Sequence, residues 1–115
     1  RSFEYAGTIQ PLLNMARDSD EKIQYVAVQA LGEIQSEEAP AWMGIPWPNQ
    51  DLIISVLSEV VRETANQAIR AKAIQSLGQI RATQTTSLLE RLVLEGTTED
   101  RRAARQALAE FRTPK

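Results

Sequence analysis

The stretch IQYVAVQALGEIQ at residues 23–35 recurs twice along the chain, as IRAKAIQSLGQIR at residues 69–81 and as DRRAARQALAEFR at residues 100–112. The three copies align without gaps, and their starts are 46 and 31 residues apart. Alanine and leucine recur at spacings of three and four, which predicts an apolar stripe along one face of a helix. A strand would alternate every second residue, and none of the copies does. One helix is therefore repeated three times.

A second helical pattern precedes each copy, and turn or capping residues lie in the joints at residues 18–20, 64–66 and 96–98. The patterns predict six helices near residues 6–17, 21–35, 50–63, 67–81, 85–95 and 99–111. Together they indicate an all-α fold, an α-solenoid of three antiparallel helix pairs. We expect a single domain over residues 1–115, with repeats at about 6–35, 50–81 and 85–112.

Two glycines lie inside the repeated helix, Gly32 and Gly78. A glycine in a helix costs about 1 kcal/mol relative to alanine. We expect a close contact between neighbouring helices to compensate for that cost.

The composition removes several classes of chemistry. Cysteine and histidine are both absent, which excludes disulfides, the usual zinc sites and catalytic triads that need histidine. The carboxylates and the scattered glycines match neither a cation-binding loop nor a phosphate-binding loop. We therefore predict a non-catalytic protein without cofactor or metal.

Charge and hydropathy limit the partners and the location. The net charge of −2 offers no general attraction to nucleic acid. No apolar run approaches the roughly 20 residues that a membrane helix needs. The chain begins at Arg1 without a methionine or a signal peptide. We expect a cytoplasmic segment of a larger protein that has no contact with a membrane.

An insert at residues 36–49 accounts for the longer first spacing. Its prolines prevent a continuous helix, and four of its residues are too apolar for a solvated linker: Trp42, Met43, Ile45 and Trp47. The insert is either a partner-binding loop, since tryptophan is enriched at interface hot spots, or a cover for the ridge between the first two pairs.

The face opposite the apolar stripe provides a second candidate site. Every fourth residue of each copy lies there: Tyr25, Gln29 and Glu33, then Ala71, Gln75 and Gln79, then Arg102, Gln106 and Glu110. Stacked repeats would place these residues side by side. They form either a neutral groove for a peptide or protein, or an ordinary hydrated surface with a row of glutamines.

Four arginines crowd the last copy, namely Arg101, Arg102, Arg105 and Arg112. Acidic residues lie nearby, so we expect a hydrated end face rather than a DNA-binding groove. Arg70 and Arg101 occupy the same repeat position. We expect them to pair with acidic or carbonyl groups between adjacent units.

The repeat resembles a known family. A pattern D-x-D-x-x-(V/I)-R-x-x-A…A-L-G-x-I is similar to HEAT-like repeats of the phycobilisome-lyase type. The residues that carry the resemblance are Asp18, Asp20 and Ile23 in the first unit, Ile69 and Arg70 in the second, and Arg101 in the third. The chain departs from the pattern at Gln24, Asn66, Thr97 and Asp100. Asp100 stands where an aliphatic residue is expected.

The resemblance implies a scaffold that binds a protein or peptide on the concave surface formed by the second helices. It also implies an alternative, a subunit of a bilin lyase that acts on phycobiliproteins. Self-association through the end repeats is a further possibility. The residues predicted to contact the partner are Trp42, Met43, Ile45, Trp47, Tyr25, Gln29, Glu33, Gln75, Gln79, Arg102 and Gln106.

Overall fold

The computed structural model describes residues 11–35 and 47–112. Residues 11–15 are helical (α1), and the helices that follow are α2 (Glu21–Gln35), α3 (Trp47–Glu63), α4 (Gln67–Gln79), a 3₁₀ turn (Thr83–Thr85), α5 (Thr86–Glu95) and α6 (Thr98–Arg112). Every regular element within these ranges is helical, which confirms the all-α prediction. None of these helices is long and apolar enough to cross a bilayer.

The helices form two layers. In the inner layer α4 lies between α2 and α6 and packs against both, whereas α3 packs on α4 and α5 packs on α6. The repeated apolar stripe forms the core, because Ala27, Ala73 and Ala104 are fully buried, as are Leu31 and Leu77. The arrangement is the predicted solenoid, in which each unit contacts its neighbours along the chain.

The three inner helices run parallel and in register. A Cβ added to Gly32 would lie 2.6 Å from Ser76 Oγ, and one added to Gly78 would lie 2.9 Å from the Cα and Cβ of Ala107. Ser76 and Ala107 occupy equivalent repeat positions, so each glycine meets the same position of the next unit. The close helix contact expected at both glycines is confirmed.

Each short joint ends in a residue that caps the next helix. The side chain of Asp20 accepts from Lys22 N at 2.9 Å, that of Asn66 from Ile69 N at 3.1 Å, and that of Thr97 from Asp100 N at 3.1 Å. The capped amide groups would otherwise have no partner at the start of a helix. The caps therefore fix where α2, α4 and α6 begin.

The side chains at one repeat position bond to a backbone carbonyl group in the joint that precedes, or near the end of the helix before, each inner helix. Gln24 donates to Ala16 O at 2.9 Å, Arg70 to Thr64 O at 3.0 Å and Arg101 to Gly96 O at 3.2 Å. All three carbonyls belong to the donor's own unit. The prediction that Arg101 pairs with an adjacent unit is therefore wrong, because its side chain bonds to Gly96 of its own unit. Arg70 makes bonds of both kinds.

Several helix boundaries differ from the sequence-based expectation by one to three residues. α1 ends at residue 15 rather than 17, α5 begins at Thr86 rather than residue 85, and α6 spans Thr98–Arg112 rather than 99–111. Two further differences, at the start of α3 and the end of α4, have a clear physical reason. α3 begins at Trp47 rather than near residue 50, so the last residues of the predicted loop at 36–49 are helical. Pro48 does not prevent this, because proline is tolerated in the first helical turn. The rest of the insert, residues 36–46, lies outside the described residues.

The other difference is the end of α4, which is Gln79 rather than residue 81. Arg81 adopts a positive φ of 56°. Arg81 N donates to Gly78 O at 3.1 Å and Ala82 N donates to Leu77 O at 3.0 Å. This is a Schellman ending with arginine where glycine is usual, so the sequence carried no glycine to mark it.

Candidate partner-binding groove

The exposed side of the inner layer carries a groove of about 560 Å³, which we call the inner groove. Its lining comes from α2, α4 and α6, and none of it comes from α3 or α5. The lining residues are Tyr25, Gln67, Ala68, Ala71, Lys72, Gln75, Glu99, Arg102, Ala103, Gln106, Ala107 and Glu110. The groove exists because parallel, in-register helices align the same face of successive units.

Small side chains make the inner groove accessible to a polypeptide. Two alanines of α4, Ala68 and Ala71, and two of α6, Ala103 and Ala107, contribute to the lining. Ala107 is buried and Ala103 is half-buried, so the packing of the helices already uses part of this surface. Methyl groups in these places leave room for a bound backbone to approach the helices.

Lys72 joins the first two units at the edge of the groove. Its ammonium group lies 5.6 Å from the centre of the Tyr25 ring, and Nζ donates to Gln75 Oε1 at 3.0 Å. A cation over an aromatic face is attracted by the ring electrons. Lys72 was not among the residues predicted from the sequence, because it lies one position after Ala71 in the series of every fourth residue. The available signal was a lysine at the position that carries Val26 and Ala103 in the other copies.

The charges in the inner groove balance. Lys72 and Arg102 are basic, and Glu99 and Glu110 are acidic. Four lining residues therefore bring no net charge, in agreement with the neutral groove that the sequence predicts. A surface without net positive charge does not provide the phosphate neutralisation on which nucleic-acid binding depends.

The predicted contact residues separate into three groups. Tyr25, Gln75, Arg102 and Gln106 line the inner groove. Gln29, Glu33 and Gln79 do not line it: Gln29 donates to Glu33 Oε2 at 3.1 Å within α2, and Gln79 Oε1 lies beside Gly32. Trp42, Met43 and Ile45 fall outside the described residues, and Trp47 is the first residue of α3.

A buried ion pair lies between the second and third units, and neither of its residues lines the inner groove. Arg70 Nε donates to Asp100 Oδ1 at 2.9 Å and to Asp100 Oδ2 at 3.1 Å, which joins α4 to α6. Gln67 Nε2 also donates to Asp100 Oδ1, at 2.7 Å, and Thr97 N donates to Asp100 Oδ2 at 3.2 Å. Asp100 is 3% exposed. The carboxylate thus occupies a buried position that holds an isoleucine in the second unit.

These contacts determine the protonation of Asp100. Burial by itself raises the pKa of the carboxyl group. The hydrogen bonds from Gln67, Arg70 and Thr97, together with the positive charge of Arg70, outweigh burial and hold the pKa below its ordinary value. Asp100 is therefore ionised near neutral pH, and it serves as the bond between units rather than as a proton donor.

The arginine cluster of the last unit faces solvent. Arg101, Arg102, Arg105 and Arg112 are all exposed. Arg102 reaches the inner groove, whereas the other three do not line it. Their placement agrees with the hydrated end face expected from the sequence.

The family of the chain follows from its repeats. The model of the HEAT repeat family matches residues 9–109, which overlap all three helix pairs. No curated protein and no solved structure matched the chain. The match covers most of the chain and agrees with the stacked helix pairs of the structure. The chain belongs to the family of HEAT repeat proteins.

Proposed function

We propose that this chain is a non-catalytic scaffold that binds a segment of a partner protein in the inner groove. The observation that carries the proposal is the groove of about 560 Å³ formed by three consecutive units. HEAT repeats commonly mediate protein–protein interaction, and solenoid units present extended surfaces of this kind. The partner segment would lie across the inner helices and contact more than one unit.

The lining supports a polypeptide ligand. Gln75 and Gln106 are exposed and offer both amide donors and carbonyl acceptors to a bound backbone. Tyr25 adds apolar area with a polar tip, a residue type enriched at interfaces. The acidic and basic lining residues would select the charge pattern of the partner and its orientation.

The insert at residues 36–49 completes the proposal. Its two tryptophans, Trp42 and Trp47, are the strongest candidates in the chain for interface hot spots. The insert and the groove are tested separately.

The test is capture of partners from the native source by three forms of the full chain. Gln106→Arg adds charge and bulk inside the groove, and Gln84→Arg makes the same change at an exposed residue outside it. We expect Gln106→Arg to weaken capture on the order of tenfold, about 1.4 kcal/mol of binding free energy, and Gln84→Arg to leave it unchanged. Equal capture by both variants, each folded by circular dichroism, would exclude the groove.

The insert is tested in the same assay with Trp42→Ala and Trp47→Ala. Reduced capture at unchanged helix content would make the insert part of the interface. Unchanged capture would restrict the interface to the groove, or would remove both sites from the proposal if Gln106→Arg also has no effect.

The bilin-lyase alternative depends on the repeat pattern and on the aromatic insert. An insert with two tryptophans could stack on a tetrapyrrole. Adding bilin to the chain discriminates the two functions, since binding would shift the absorbance spectrum of the pigment. An unchanged spectrum at high protein concentration would remove this alternative.

A further inference from the structure

The two ends of the solenoid are built differently. Each inner helix has one face toward the preceding unit and one toward the following unit. The contacts of α4 identify both faces, since Ser76 Oγ donates to Val28 O of α2 at 2.9 Å, and Arg70 pairs with Asp100 of α6. The repeat spacing then assigns the equivalent residues of α2 and α6.

The face of α2 that corresponds to a contact with a preceding unit is open. At one position Ile69 is 1% exposed and Asp100 is 3% exposed, but Ile23 is 36% exposed. Three residues further along α2, Val26 is 58% exposed, whereas its equivalent in the second unit, Lys72, packs on Tyr25. The first unit therefore presents aliphatic side chains to solvent where the later units are in contact with a neighbour.

The face of α6 that corresponds to a contact with a following unit is polar. Val28 and Ile74 are fully buried at one position, and their equivalent Arg105 is exposed. Gly32 and Gly78 permit close approach at another, where α6 has the exposed Ala109. Covering this face with another unit would bury the Arg105 guanidinium where the other two units have an aliphatic side chain, and burying a charged group is costly. A polar outer face is typical of a terminal capping repeat.

We propose that Ile23, Val26 and Ala30 of α2 form a stacking site for a further helix pair of this repeat type, whereas the corresponding outer face of α6 is polar. The site continues the interface by which α2 binds α4 and α4 binds α6. The inner helix of the added pair would present the face that α2 itself offers to α4, with the buried Val28 and Gly32 at its centre.

A second copy of the chain fits this site less well. Its only unused following face is that of α6, and Arg105 would lie against aliphatic side chains. Pairing two α2 faces with each other would bury little more than the exposed parts of Ile23 and Val26. A stable interface buries roughly 1,200 Å² or more. A whole helix pair can cover the face as α4 covers α2.

The experiment is a tandem chain in which residues 1–46 precede the complete 115-residue chain. The 115-residue chain has no cysteine, so Val26→Cys in the complete copy gives a single thiol whose reaction with maleimide reports exposure of the site. We expect the tandem to slow labelling on the order of tenfold or more relative to the Val26→Cys chain alone, since a covered thiol reacts only after local opening.

Two controls are placed in the same tandem. The same cysteine in the leading copy lies on the new outer face, and Leu94→Cys lies on α5, where Leu94 is 75% exposed. Both should react as fast as in the single chain. Adding Ile23→Glu to the complete copy should restore fast labelling at Val26→Cys.

Every outcome decides the proposal. A solenoid unit cannot bury its apolar face alone, so the added helices should form only if they stack. If Val26→Cys in the leading copy and Val26→Cys in the complete copy react with maleimide at equal rates, the stacking site is overturned, whether the added residues are helical or not. Protection that survives Ile23→Glu would also overturn it, because the protection would then arise elsewhere.

Discussion

Gly78 lies where the backbone of α6 comes so close to α4 that there is little room for a larger side chain. Alanine is preferred over glycine by about 1 kcal/mol in a helix, so propensity alone predicts that Gly78→Ala stabilises the protein. The added Cβ would meet the backbone of Ala107 at 2.9 Å, and forced overpacking costs about 1–3 kcal/mol. We expect a net loss of up to about 2 kcal/mol in the free energy of unfolding, measured by chemical denaturation.

Ala109 provides the matched control, because it occupies the same repeat position on the exposed face of α6. Ala109→Gly should lose about 1 kcal/mol through propensity alone. Both exchanges are therefore destabilising although they run in opposite directions. A gain of stability in Gly78→Ala would contradict the close helix contact.

Asp100 contributes stability as a charged group. Asp100→Asn keeps the shape of the side chain but leaves the Arg70 guanidinium, which is 19% exposed, without its counter-charge. We expect a loss of about 2 kcal/mol at neutral pH. Glu59→Gln at the exposed Arg17–Glu59 pair, whose side chains are 52% and 36% exposed, should cost less than about 1 kcal/mol.

The loss at Asp100 has a defined pH dependence. Because the pKa of Asp100 is lowered in the folded protein, its contribution is complete above the ordinary aspartate pKa of about 3.9 and disappears as the pH falls through the lower folded value. The difference between the natural protein and Asp100→Asn should stay constant from pH 7 to about 5 and shrink below about pH 4. Urea denaturation at each pH measures it. A difference that persists undiminished at pH 2 would show that charge is not its source.

At the scale of the element, Asn66 tests the joint between α3 and α4. Its side chain caps α4 at Ile69 N, and its Nδ2 donates to Glu21 Oε1 of the preceding unit at 2.9 Å. Asn66→Ala should lose about 1 kcal/mol. Asn66→Ser keeps a good cap without the bond to Glu21, so it should recover most of that loss in thermal denaturation. Equal losses would assign the stability to the exposed bond between units instead.

The sequence predicted the helices well because each is specified by a pattern and a cap. The starts of α2 and α4 were predicted correctly, since Asp20 and Asn66 are ordinary capping residues. The end of α4 was not, because Arg81 adopts the left-handed conformation that glycine usually supplies. α3 begins earlier than the sequence predicts, because Pro48 lies in the first helical turn, where proline is tolerated.

At the scale of the whole molecule, the repeat spacing predicted which helices stack and which face they share. Tyr25 and Gln106 were therefore placed correctly on one surface. Lys72 was missed because its role depends on the adjacent unit, where Tyr25 lies beside it. The burial of Asp100 could not be predicted either, since an aspartate is expected at the surface unless its partner in the previous unit, here Arg70, is known.

The in-register, parallel packing of α2, α4 and α6 is the central claim, since the groove and the stacking site both depend on it. Nuclear Overhauser spectroscopy of the folded chain tests it most directly. We predict cross-peaks between the α-protons of Gly32 and the β-protons of Ser76, and between the α-protons of Gly78 and the methyl group of Ala107. Cross-peaks from these glycines to any other pair of positions on α4 and α6, in place of the predicted ones, would contradict the register and remove the groove.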